Sequence, residues 1–339
     1  MKRRIIYTIT LFSLLLFSSL NTLQAAVIFE DNFDGQANWS KGKPSESEVD
    51  YPPFPAAGAP TNWSTWRAVP WNPPVADPIS ITSAVTSDHT TVSGKQFIAT
   101  VQACGPDIFS TAFCSDTVLG KVFPQEYQEL YARFWLKTQP GWQYTINQTN
   151  AHKIFRFLRY DGIGNFFQNG TSGSESALLF FDLGEYWNGG TAIYSLTYRG
   201  YPVASYFAAT GTKNDINQSF GTDTSTANGN WADGQWHRYD IHAKLNTTGI
   251  ANGVVEFSFD GIKKFSASDV MFKISGSNGI GWNAIMIGGN HQTDFPAGEQ
   301  WYAIDDVVIS TTPIPENYVI GGGSSDTRAP AAPTGLKVN

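Results

Sequence analysis

The chain has 339 residues and carries 22 lysines and arginines against 29 aspartates and glutamates, a net charge of −7. This acidic balance argues against nucleic acid as a partner, because phosphate binding calls for a basic surface. Charged residues are only 15% and aromatic residues 14% of the chain, a composition that fills a large core and leaves rings over for the surface.

Lys2, Arg3 and Arg4 precede an apolar run from Ile5 to Leu20, which ends near the small residues Ala25 and Ala26. This is the pattern of a secretory signal peptide over residues 1–25, and it implies a periplasmic or extracellular protein. A membrane-anchoring helix fits less well, since Thr8, Thr10, Ser13, Ser18 and Ser19 interrupt a stretch already short for a span. No transmembrane anchor is expected after cleavage. Cleavage after Ala25 leaves 339 − 25 = 314 residues with a charge of (22 − 3) − 29 = −10.

Val27 to Gly35, VIFEDNFDG, then reads as a short strand bearing acids. Residues 36–94 are rich in Pro, Ser and Thr, with Trp39, Trp63, Trp66 and Trp71 spread through them. Long loops pinned by aromatic anchors, with short edge strands, suit this stretch better than disorder does. Lys95 to Ala103 is the next strand-like run. Cys104 and Cys114 follow, with nine residues between them, and in an oxidising compartment they are expected to form a local disulfide. A metal-binding or catalytic thiol is the alternative, without a nearby histidine to support it.

From Leu130 to Thr138, Tyr131, Arg133, Trp135 and Lys137 alternate with Ala132, Phe134 and Leu136, the period of a strand with one buried face. Further strand-like runs are Lys153 to Tyr160, Ala177 to Leu183, Ala192 to Arg199, Trp236 to Leu245, Val254 to Phe265 and Gly281 to Gly288. Clusters of Gly, Asn, Asp, Ser and Pro separate them, and Phe259-Asp260-Gly261-Ile262 reads as a hairpin turn. No segment beyond the signal peptide keeps an apolar period of 3.6, so an all-β, antiparallel fold is predicted. Trp301 to Ser310, WYAIDDVVIS, closes the body and is expected to share a sheet with the opening strand. The boundaries that follow are a sandwich domain over 26–312 and a Gly/Ser/Pro-rich flexible tail over 313–339.

Taken together, Phe29-Glu30-Asp31-Asn32-Phe33, Ile304-Asp305-Asp306-Val307-Val308, and Trp236-His237-Arg238-Tyr239 followed by a strand ending in Asp260-Gly261 resemble the concanavalin A-like lectin/glucanase superfamily. The resemblance spans about residues 27 to 310 and implies a concanavalin A-like jelly-roll sandwich of two antiparallel sheets. Within that superfamily, Phe134-Trp135-Leu136-Lys137, then Pro140-Gly141-Trp142 and His152-Lys153, resemble jelly-roll polysaccharide lyases.

The resemblance implies a structural calcium near the paired termini, with Glu30, through its carboxylate or carbonyl, and Asp305 as ligands. The other reading of these acids is a solvated edge strand that discourages edge-to-edge pairing. Glu46-Ser47-Glu48-Val49-Asp50 imitates the alternating carboxylates of the superfamily's retaining glycosidases, but Pro44 and Pro52-Pro53 argue for a loop. His237, Arg238, Asp240 and His242 lie on one strand without a nucleophile elbow and read as a surface ion-pair ladder.

The basic stretch His152, Lys153 and Arg156 is the stronger candidate. If it neighbours Arg133, Trp135, Lys137 and Trp142, cations and rings would line one groove suited to an acidic polysaccharide. Pairing of these cations with Asp182 and Glu185 is the competing reading. β-Elimination on a uronate needs a cation to neutralise the carboxylate, a base for the C5 proton and an acid for the leaving oxygen. The expected roles are Arg156 or Lys153 for the first, His152 for the second, and Tyr194 or Tyr198 for the third. A non-catalytic carbohydrate-binding or adhesion protein is the alternative from a different class.

Overall fold

The computed structural model describes residues 26–41, 54–70, 79–90, 94–101, 113–142, 152–160, 162, 166, 178–186, 191–199, 232–273, 281–292 and 299–321. The signal segment, Glu46 to Asp50, Cys104 and the tail beyond 321 lie outside these residues. His152, Tyr194, Tyr198 and Cys114 are described for their backbone only.

Every named element among the described residues is a strand: β1 (Val27–Asp31), β2 (Trp39–Lys41), β3 (Thr65–Pro70), β4 (Ile79–Thr82), β5 (Gln96–Val101), β6 (Phe113–Tyr127), β7 (Glu129–Thr138), β8 (His152–Leu158), β9 (Leu178–Tyr186), β10 (Thr191–Arg199), β11 (His237–Lys244), β12 (Gly253–Phe259), β13 (Ile262–Val270), β14 (Trp282–Gln292) and β15 (Gln300–Ser310). Among the described residues, no helix is long and apolar enough to cross a membrane.

The strands form two antiparallel sheets packed face to face as a jelly-roll β-sandwich. One sheet has nine strands, ordered β13-β12-β11-β7-β15-β5-β4-β2, with β1 also paired to β15, and the other has six, ordered β10-β9-β8-β14-β6-β3. The expected closure of the two ends is present, with Val27 opposite Ser310, Glu30 opposite Val308 and Asp31 opposite Val307. The first half of β15 pairs with β5, so β1 continues the line that β5 begins.

Period two explains the packing of β7. Leu130, Ala132, Phe134 and Leu136 are buried between the sheets, where Phe134 stacks flat on Tyr239 at 5.3 Å and on Phe155 of the facing sheet at 5.4 Å. Each such ring removed from water stabilises the fold by about 1.5–3 kcal/mol. The β12–β13 hairpin turns through Asp260 (φ 48°) and Gly261 (φ 76°), two positive angles that suit the right-handed twist of a tight antiparallel pair.

The aromatic anchors expected in residues 36–94 are in place where that stretch is described. Trp63 is buried, meets Phe29 edge-on at 5.1 Å, and donates its indole N–H to Asp31 Oδ2 at 2.8 Å. Trp39 and Trp66 donate theirs to the carbonyls of Gly58 and Ala57.

Two features differ from the sequence reading. The long strand β6 was not apparent, because Gly120 and Pro124 break its pattern; a Cβ on Gly120 would lie 2.4 Å from Phe166 and 2.7 Å from Thr65, so the close packing there depends on glycine. The expected tail also begins later than Pro313. Arg133 donates to the carbonyls of Ile314 and Pro315, Arg238 pairs with Glu316, and Tyr318 donates to Glu30, so residues 313–321 lie along the nine-stranded sheet as a strap.

Candidate functional site

The sandwich has two outward faces, and the sequence candidates divide between them. β7 neighbours β11 and β15 in the nine-stranded sheet, whereas β8 neighbours β9 and β14 in the six-stranded sheet. The expectation that Arg133, Trp135 and Lys137 line one groove with His152, Lys153 and Arg156 is therefore corrected. With the apolar half of β7 pointing into the core, its cationic half points out of the opposite side of the molecule.

On the nine-stranded face, Arg133 is buried and wholly engaged: Nε donates to Asp240 at 2.5 Å, Nη1 to Pro315 O at 2.6 Å and Nη2 to Ile314 O at 3.2 Å. Arg238 Nε donates to the other oxygen of Asp240 at 2.8 Å. His242 lies between Glu256 (3.0 Å) and Glu129 (2.9 Å), stacked flat on Tyr131 at 4.1 Å. The ion-pair ladder read from the sequence is present.

Farther along the same face, Trp135 is covered by the His89 ring at 3.5 Å, and the Lys137 ammonium lies over Trp236 at 5.9 Å. Burial holds that ammonium below the usual lysine range. Trp142 is a core residue, 8% exposed. His237 is held by Asp260 (2.7 Å) and Asp233 (3.0 Å). Burial opposes its charge, but the two carboxylates prevail and raise it to about 9.

The six-stranded face is built differently. At one end of it Val118, Leu158, Tyr160, Phe166, Ala284 and Met286 form a small apolar cluster separate from the main core. Beside that cluster stand two nearly buried arginines. Arg67 lies opposite Val118 and Arg156 opposite Met286, at 6% and 4% exposure. Arg156 Nη1 lies 3.2 Å from Met286 Sδ. Gly289 packs directly against that guanidinium: a Cβ there would lie 3.0 Å from Arg156 Nη2 and 2.6 Å from the carbonyl of Lys153.

Three further candidates belong to this same sheet. His152 lies opposite Leu183 at the start of β8, Tyr194 is also opposite Leu183, and Tyr198 is opposite Leu179. Leu179 and Leu183 are in phase with Phe181 of the main core, whereas Arg156 lies opposite Phe180, so the expectation that these three share a groove with Arg156 is corrected. Lys153 lies opposite Asp182, which brings the predicted acid–base neighbours into cross-strand register. Arg67 escaped the sequence reading. Its signal was the alternation within Thr65 to Pro70, masked by the surrounding loop composition.

Near the paired ends, Asp305 is fully buried and its carboxyl is hydrogen-bonded to that of Asp88; burial, then Asp88, push it up to about 10. Asp305 also accepts from the backbone N–H of His89 at 3.2 Å and of Asp306 at 2.8 Å. The Glu30 carboxylate is occupied by Tyr318 and the Gly321 N–H. Asp88 and His89 were not among the sequence candidates. They lie in a loop whose approach to β15 no local pattern announces.

No family model and no curated protein matches the chain. Among solved structures it is similar to a mutant of alginate lyase Aly36B in complex with an alginate tetrasaccharide, at 10% identity and a TM-score of 0.47, over 74% of this chain and 88% of that one. It is also similar to an endo-β-1,4-glucuronan lyase from the fungus Trichoderma reesei (13% identity, TM-score 0.43, 74% and 92% coverage). A third is alginate lyase vAL-1 from Chlorella virus (11%, 0.42, 73% and 93%). These TM-scores are below 0.5, and the reading of the site rests on its own residues.

Proposed function

We propose that the chain is a secreted, polysaccharide-interacting protein that cleaves a uronate-bearing glycan by β-elimination on the outer face of the six-stranded sheet. The observation that carries this reading is Arg156, a guanidinium 4% exposed on a central strand, with a glycine rather than a side chain along its flank. A planar guanidinium in such surroundings makes strong paired hydrogen bonds to a carboxylate. Neutralising the sugar carboxylate in this way makes the C5 proton easier to remove.

The base that takes that proton must share the side of Arg156, which the register denies to His152. The C5–H electron pair becomes the C4–C5 double bond, the C4–O glycosidic bond breaks, and the leaving oxygen receives a proton from a general acid on the same face, a role the register takes from Tyr194 and Tyr198. Lys153 is the alternative neutralising cation. The test is to incubate the purified protein with alginate, glucuronan, pectate and glycosaminoglycan and follow the ultraviolet absorbance of unsaturated uronate. Binding without any such rise would replace the lyase reading with that of a non-catalytic carbohydrate-binding protein.

A structural calcium belongs to the same proposal. The donor chemistry at Asp305 fits a hard cation, since a second carboxyl, Asp88, already meets it in a buried setting. Gly94 borders this pair as well: a Cβ there would lie 1.8 Å from Asp88 Oδ2. With its side chain engaged by Tyr318, Glu30 has only its carbonyl to offer. Among the described residues no group of three or more His, Cys, Asp and Glu side chains is placed to hold a metal, so carbonyls and water would complete the shell. The expected disulfide between Cys104 and Cys114 is likewise carried as a proposal.

A further inference from the structure

The nine-stranded face has a cleft of ≈ 210 Å³ between the sheet and the strap, bordered by Tyr131, His242, Ser258, Lys263, Gly261 and Ile314. At its mouth the Glu316 carboxylate sits squarely on the fork of Arg238, Oε1 at 2.7 Å from Nη1 and Oε2 at 2.9 Å from Nη2. This two-pronged geometry is how a guanidinium receives any carboxylate. The partners differ sharply in exposure: the Arg238 side chain is 10% exposed and that of Glu316 77%.

The local charges show why a carboxylate is wanted there. Arg133 and Arg238 share a single acid, Asp240, which gives one oxygen to each. The other cleft acid, Glu256, is already taken by Lys263 at 2.6 Å and His242 at 3.0 Å. Without Glu316 the two arginines would carry one uncompensated positive charge at the cleft mouth. An ion pair whose acid lies in solvent is weak, about 0.2–1 kcal/mol, and opens readily.

We propose that this cleft is a second binding site, for a sugar carboxylate, and that Glu316 is the strap's own stand-in for that ligand. Arg238 receives the incoming carboxylate on its fork, and the Tyr131–His242 stack and the Ser258 hydroxyl border the space for the sugar body. The site lies on the face opposite Arg156, so it would hold a polymer without exposing it to the proposed chemistry. The choice of a uronate among carboxylates rests on the proposed function; the site for a carboxylate does not.

The test is calorimetric titration of the full chain with sodium glucuronate, with glucose as the uncharged control, in an Arg156→Ala background that silences the other face. Glu316→Ala frees the fork, and apparent Kd for glucuronate should fall about three-fold, the gain expected when a weak internal competitor is removed. Adding Arg238→Lys, which keeps the charge and loses the fork, should reverse that gain. Glucose should bind to none of the variants. The proposal is overturned if Glu316→Ala binds glucuronate no better than its parent, or if Arg238→Lys leaves the improved affinity intact. Because the readout is binding of a monosaccharide, a failed lyase assay and a failed titration are separate results.

Discussion

The two outward faces of this sandwich set their arginines in different surroundings. On the nine-stranded face, Arg133 and Arg238 are tied to Asp240, to strap carbonyls and to Glu316, within a ladder where Glu256 and Glu129 also flank His242. On the six-stranded face, Arg67 and Arg156 stand beside an apolar cluster, and Arg156 touches a thioether and borders a glycine. The first arrangement spends cations on holding chain segments together. The second sets them among apolar groups, where a guanidinium interacts more strongly with a carboxylate than it does in water.

The largest expected effect separates the faces directly. Arg156→Ala should lower the rate of uronate elimination by about 100-fold or more, the scale of losing one preorganised donor, while Arg133→Ala should leave the rate nearly unchanged. Steady-state assays beside circular dichroism would distinguish lost chemistry from lost fold. For stability the order reverses. Arg133→Ala should cost about 2 kcal/mol in denaturant unfolding, the worth of a charged hydrogen-bond cluster, by releasing the strap.

Calcium sharpens the contrast further. Chelator should lower the melting temperature of the intact protein by several degrees and that of Asp305→Ala not at all; equal melting with and without chelator would remove the ion from the account. Smaller effects should appear in pH profiles of stability. His237 is raised from 6.5 to about 9 in the folded state, so its contribution is complete below pH 6.5 and is lost as pH rises through 9. His237→Gln should flatten that alkaline slope.

Glu256 behaves in the opposite sense. Burial resists its charge, yet Lys263 and His242 hold it down at about 2, so its contribution is present above pH 4.5 and is lost as pH falls toward 2. Glu256→Gln should flatten the acid limb by a smaller amount, since the group is partly exposed and solvent screens it.

Much of this was legible in the residues. The alternation of β7, the Asp260-Gly261 hairpin and the pairing of the first and last strands all follow from period two and turn chemistry. The grouping of the site was not. Period two tells which residues share one side of a strand, but not which sheet the strand joins, and β7 and β8 are consecutive in sequence yet lie in different sheets. The strap was hidden for a related reason: Pro313 to Gly321 has loop composition, and only Arg133, Arg238 and Glu30, far away in sequence, reveal that it is docked.

The claim that glycan chemistry belongs to the six-stranded face has one direct measurement, amide hydrogen exchange of the full chain with and without a saturating uronate oligosaccharide. Slowed exchange centred on β8 and β14, absent in Arg156→Ala, is the expected result. Protection confined to β7 and β11, with β8 and β14 unchanged, would contradict the account.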